Sequence, residues 1–249
     1  MTKNSFLSVL SQKKVLALFL VGKIVRFLFF YLFVYYLIRE TGSLAGYNFH
    51  QTIFIFLTFN LVDILAQFLF RDVYRFRPKI ISGEFDLTLL KPQSALFRSM
   101  MSGADVIDFV TLPFIFSLTI YFALFLDPGV LEVVLYTALV INSLFIASAF
   151  HILVMALGII ILEVDYLIWI YRDGLNLGRF PIEIFGRNMR GFLTYLIPLF
   201  TMITVPSRVM MGVIDFGVVA VSFFAGVILF FLSLRFWRVA LRRYTSASS

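Results

Sequence analysis

The chain has no cysteine and only two histidines, His50 and His151. The first absence excludes disulfides and thiolate-held metals. The second leaves no histidine cluster, because the two lie on different apolar runs, and no metal site is expected. The only Gly-Lys pair, Gly22-Lys23, is followed by Ile24 inside an apolar run, so the chain has no phosphate-binding loop. It also lacks the Gly-x-Ser-x-Gly elbow of serine hydrolases and any Asp-rich helix pair that would hold a catalytic metal. No covalent chemistry is expected of these residues, no cofactor, and no enzyme activity. Charge is scarce as well, at 14% of residues against about a quarter in soluble domains.

Apolar residues are what remain, at 61% of the 249, with 32 Phe. Such a chain takes the bilayer as its solvent, and its length accommodates about six helical spans of ~20 residues. The expectation is an all-α polytopic membrane protein, a single domain over residues 1–249. The net charge of +7 fits loops facing the cytoplasm and anionic lipid head groups better than nucleic acid. Residues 1–22 are mildly amphipathic and are expected to lie on the membrane surface as an interfacial helix. The apolar run Val15–Ile38 is long and has no small-residue cleavage site after it, so it is expected to stay as a span and not act as a signal peptide.

Further spans are expected over 49–70, 104–126, 130–162 and 213–237. Asp127-Pro128-Gly129 marks a tight turn. Two stretches are ambiguous: 166–185 carries Arg172, Asp173 and Arg179, and 191–212 is interrupted by Pro198 and Pro206. Basic termini and the polar segment 71–98 place all three in the cytoplasm, so just one of the two stretches crosses fully. Hydropathy favours 191–212, and the alternative stays open on these grounds.

Within the spans, Asn60, Asp63 and Gln67 fall at i, i+3 and i+7, one helix face. An acid ~12 Å from the helix end faces protein or a wet cavity. It could pair with Lys23 or Arg26, line a translocation path, or serve an ion-coupled secondary transporter. Asp105 and Asp108 share a face at the start of the third span and suit its N-terminus. Arg172 and Asp173 are expected to compensate each other. The segment Arg71–Arg98 holds nine of the 35 charged residues. There Pro78 is expected to end the second helix, Ile80–Leu90 to form a short amphipathic helix, and Lys91-Pro92 to stop it.

The run Ile80-Ile81-Ser82-Gly83-Glu84-Phe85-Asp86-Leu87-Thr88-Leu89-Leu90-Lys91-Pro92 resembles a signature of ABC-2-type transporter permeases, in a bacterial subgroup with Ser-Gly-Glu-(Leu/Phe)-Asp followed by Leu-Leu-(Arg/Lys)-Pro. Gly46-Tyr47, the spaced prolines from Pro181 through Pro198 to Pro206, and the tail Phe236-Trp237-Arg238 with Leu241–Ser246 agree in order. The resemblance covers nearly the whole chain. It implies six spans, a second permease (identical or paralogous), and two cytoplasmic ATPase subunits that hold the ATP and Mg. It implies that Ile80, Ile81, Ser82, Gly83, Glu84, Phe85, Asp86, Leu89, Leu90, Lys91 and Pro92 couple to the ATPase. It makes 166–185 the fifth span and 187–212 a re-entrant hairpin in the outer leaflet. The expectation is an exporter in the bacterial cytoplasmic membrane, with both termini in the cytoplasm.

Overall fold

Helix starts are set where the sequence supplies caps. Asn48 and Gln51 form a reciprocal capping box, each bond 3.0 Å, and open a helix at Phe49. Asp215 accepts from the amides of Gly217 and Val218 and opens another at Phe216. The computed structural model describes residues 13–101, 103, 106–161, 165–195 and 198–245. Its helices are α1 (Lys13–Thr41), α2 (Phe49–Phe70), α3 (Phe76–Ile81), α4 (Glu84–Leu89), α5 (Ala95–Met101), α6 (Val106–Leu124), α7 (Val130–Ile161), α8 (Asp165–Asn176), α9 (Arg187–Tyr195), α10 (Val205–Met210) and α11 (Phe216–Leu241). No strand element occurs among the described residues beyond the single bridge Leu44–Tyr47.

Among the described residues five helices are long and apolar enough to cross a membrane, where six spans were expected: α1, α2 with its continuation to Ile81, α6, α7 and α11. The chain is a multi-pass membrane protein. From Lys13 onward it already belongs to α1, with no break at residue 22; residues 1–12 of the expected interfacial helix lie outside the described residues, as does Asp105.

The expected helix over 166–185 is replaced by a broken path. Only α8 is helical, 12 residues or ~18 Å. Short 3-10 turns follow at Leu177–Arg179 and Ile182–Ile184. Pro181 has no amide hydrogen to continue a helix. Gly178 is buried so closely against Ile203 that a β-carbon would lie 2.3 Å from its Cδ1. This path runs antiparallel to α2. Trp169 meets Tyr74 beyond the Phe70 end, with ring centroids 5.8 Å apart. The Arg179 guanidinium lies 5.5 Å over the Phe59 ring at mid-helix. Tyr47, just before the Phe49 end, donates to Glu183 Oε1 at 3.2 Å.

The next stretch, 187–210, is likewise in pieces: α9, a π-helical turn Phe200–Thr204, then α10. It packs into α7. Ser143 Oγ donates to the Met202 carbonyl at 2.8 Å, and Val205 and Val209 cluster with Leu139 and Val219.

The closest helix pair is α7 and α11. Small residues allow it: Ser222 and Ser233 are fully buried on α11, and a β-carbon on Gly226 would fall 2.0 Å from Asn142 Oδ1. Asn142 Nδ2 donates across the pair to the Ser222 carbonyl at 2.9 Å.

Candidate functional site: a charged intramembrane cavity and a basic-end helical turn

One end of the bundle is basic, carrying Arg71, Arg75, Arg77 and Lys79 after α2 and Arg238, Arg242 and Arg243 at the close of α11. Two features lie at or near this end.

The first is a cavity of about 690 Å³ between α1, α2 and α6, with Arg172 of α8 at its edge. Asn60, Asp63 and Gln67 all line it, as their shared helix face requires. Gln67 Nε2 donates to Asp63 Oδ2 at 2.9 Å, and Arg71 donates to Gln67 Oε1 at 3.0 Å. A polar ladder thus descends α2 at i, i+4, i+8 toward the basic end. Asn60 instead caps its own helix carbonyl, that of Phe56, at 2.7 Å. The expected pairing of Asp63 with Lys23 does not form. Lys23 Nζ is committed to Asp108 Oδ1 at 2.9 Å and to Thr111 Oγ1 at 3.2 Å, on α6. Asp108, in the first turn of α6 where an acid suits the helix N-terminus, thus also joins two helices. Its second oxygen, Oδ2, is buried with no hydrogen-bond partner among the described residues.

Arg26 and Arg172 line the same cavity and make no ion pair among the described residues. The Arg172 guanidinium lies 5.6 Å over the Trp169 ring. Asp173 is exposed, away from the cavity, and the expected Arg172–Asp173 pair is absent. The reason is helical geometry: neighbours in sequence point about 100° apart on a helix.

The second feature is the turn below α2. Pro78 does not end the helix. It sits in the first turn of α3, where no intrahelical donor is needed, and the chain runs through Arg71–Arg75 into α3. The break comes at Gly83, in the left-handed region with φ +73°, so the single helix expected over Ile80–Leu90 divides into α3 and α4. Phe85 of α4 is buried among Phe76, Trp237 and Tyr244, with ring centroids 5.0, 6.3 and 5.1 Å away. The Tyr244 hydroxyl donates to Asp86 Oδ1 at 2.8 Å. Burial and the neighbouring carboxylate push the Tyr244 pKa up to about 12, so it remains a donor at neutral pH. Lys79 pairs with the buried Asp72. Ile80 and Thr88 are buried too, while Ile81, Ser82, Glu84, Leu87, Leu89, Leu90, Lys91 and Pro92 face outward.

Sequence reasoning missed the Lys23–Asp108 link and the α11 contacts of α4. The first had a signal, since Lys23 and Asp108 both sit near the basic-end termini of the first and third spans. The second had none, because Phe85 and Tyr244 are 159 positions apart.

A membrane-embedded helical bundle with a charged cavity and a packed helical turn at one end fits a transport component. The chain belongs to the family described as ABC-2 family transporter protein, whose sequence pattern matches residues 22–248. It is a permease component of an ABC transporter, and the family implies partnership with an ABC ATPase subunit. Members of the family are membrane transport components and not catalysts. No curated protein and no solved structure matches the chain.

Proposed function

We propose that the chain is the permease half of an exporter, paired with a second permease and driven by separate cytoplasmic ATPase subunits that dock on α3 and α4. The observation that carries this is the division of labour within α4. Its inner side is clamped by Phe76, Trp237 and Tyr244, and its outer side presents Glu84, Leu87 and Leu90. A clamped element with a free apolar and acidic face transmits force instead of absorbing it. The clamp joins α4 to α11 as well as to α3, which continues α2, so a push would reach the α7–α11 pair.

In this reading the basic end is cytoplasmic, and both termini lie there. The chain from Asp165 to Ile184 is the fifth crossing although only part of it is helix. The three contacts along α2, at Trp169, Arg179 and Glu183, support that assignment. Non-helical backbone is tolerated at membrane depth where protein encloses it. Residues 187–212 then form the re-entrant hairpin, supported by the Ser143–Met202 bond well inside α7.

Two experiments test this. Co-expression with an ATPase encoded beside the gene should give a stable complex that Leu87→Asp with Leu90→Asp reduces by about tenfold. An undiminished complex would remove α4 from the docking surface. Because the chain has no cysteine, Asn188→Cys supplies a single thiol. Labelling by an impermeant reagent from outside is expected; labelling only from the cytoplasm would overturn the hairpin.

A further inference from the structure

The cavity between α1, α2 and α6 has a chemical bias that transport alone does not explain. Among the described residues its charged lining comprises Lys23, Arg26, Arg71 and Arg172 against Asp63 and Asp108, an excess of two positive charges. Lys23 pairs with Asp108, while Asp63 bonds to the neutral Gln67 amide and lies within electrostatic reach of both Arg172 and Arg26, one acid against two guanidinium groups. Arg26 and Arg172 have no ion pair among the described residues. Guanidinium groups in a low-dielectric wall favour an anion, and they suit phosphate geometry in particular. Asp108, 4% exposed, adds a buried acceptor, Oδ2, that has no hydrogen-bond partner among the described residues. It would accept from a hydroxyl or ammonium hydrogen next to that anion. Asn60, Gln67 and Thr111 add uncharged polar groups, and the remaining wall is apolar, including Leu18, Phe19 and Phe114, which are exposed at the bundle's surface.

We propose that this cavity binds an amphiphile with a phosphate-bearing anionic head group, admitted sideways past the lower half of α1. The phosphate lies between Arg26 and Arg172, a neighbouring hydroxyl or ammonium donates to Asp108, and the chain lies along Leu18, Phe19 and Phe114. The access route depends on the cytoplasmic placement of the basic end, which puts the cavity at inner-leaflet depth. The charge selectivity does not.

The test uses the purified full-length chain in a non-ionic detergent, with lipid retention followed by native mass spectrometry. Wild type is expected to retain lysophosphatidylglycerol about tenfold better than lysophosphatidylcholine or dodecyltrimethylammonium. Arg26→Gln with Arg172→Gln should abolish that preference, while Arg26→Lys with Arg172→Lys keeps most of it. Arg243→Gln, at the same end but outside the cavity, should leave it unchanged. Excess inorganic phosphate should not displace the lipid. Equal retention by a monodisperse Arg26→Gln/Arg172→Gln protein overturns the site. So does an equal loss in Arg243→Gln, a preference for the cationic amphiphile, or displacement by phosphate alone. No ATPase is needed here, so failure to find an ATPase complex would count against the exporter reading and leave this result standing.

Discussion

The α7–α11 pair and α1 are both long apolar helices, yet they are held in opposite ways. Between α7 and α11 the contact is continuous, with Gly226 under Asn142, a hydrogen bond from Asn142 to Ser222, and buried serines along the seam. Along α1 the contact is local. Its upper half is joined by rings, Phe30 stacking on Phe56 at 3.8 Å and Tyr31 meeting Phe49 at 5.3 Å. Its lower half stands off across the cavity and touches α6 through Lys23. Lipid tails are as apolar as leucine, so hydrophobicity alone does not join helices in a bilayer. Close backbone approach and internal hydrogen bonds do, and only one of these two regions has them along its length. The difference separates a pair joined along its length from a helix held by rings at one half and by a single lysine at the other.

The sharpest way to break this comparison is to fill the seam. Gly226→Val places side-chain atoms where Asn142 lies, and overpacking of this kind costs about 1–3 kcal/mol. Loss of most folded protein, seen as a collapsed yield of monodisperse material, is expected. A Val at 226 with normal thermal stability would show that the seam is looser than its geometry.

The opposite region should lose position before it loses stability. Lys23→Met removes the link between α1 and α6 and leaves Asp108 without its cation. A thiol at Thr111, inside the cavity, should then label several-fold faster, by about three- to tenfold. Lys23→Met with Asp108→Asn removes the uncompensated charge but not the opening, so labelling stays fast. Unchanged labelling in both variants would mean that the rings alone hold α1.

Most of this fold was legible in the sequence, and the exceptions have physical causes. The bounds of α2, α6 and α7 follow from apolar runs closed by Asn48, Asp127-Pro128-Gly129 and charged loops. The face shared by Asn60, Asp63 and Gln67 follows from the helical period. Lys23 and Arg26 were legible as lying opposite that face, but the pairing of Lys23 with Asp108 and the arrival of Arg172 were not, because they come from other segments and only tertiary packing sets their order. Pro78 misled because a proline in a first turn and a proline ending a helix look alike in sequence. Gly83 was the actual break, since its positive φ excludes a straight helix. The stretch after Asp165 resisted reading because Pro181, Gly178 and the charged Arg179 suit a buried irregular crossing, and hydropathy scores only continuous helices.

Within the α7–α11 pair itself a finer test is Asn142→Ala. Interhelical hydrogen bonds in membranes average about 0.6 kcal/mol, far less than the cost of overpacking. Asn142→Ala should therefore lower stability by under about 1 kcal/mol, measured by steric trapping or a small shift in melting temperature. A drop as large as that of Gly226→Val would mean that the hydrogen bond, not the close approach, holds the seam.

The smallest effect is expected where the α7–α11 pair meets the docking turn. Tyr244→Phe keeps the ring against Phe85 and removes only the hydroxyl that donates to Asp86. Assembly with the ATPase should be unaffected, and permease-stimulated ATP hydrolysis should fall by about two- to threefold. The pH profile separates this contact from a general loosening. A tyrosine whose pKa is raised in the folded protein contributes fully below its ordinary value near 10 and is lost only as pH climbs toward about 12. The wild-type to Tyr244→Phe ratio should thus be flat from neutral pH to about pH 9. A ratio that changes within that window would assign the coupling to another titrating group, and the α11 tail would then be packing for α4 and not part of the lever.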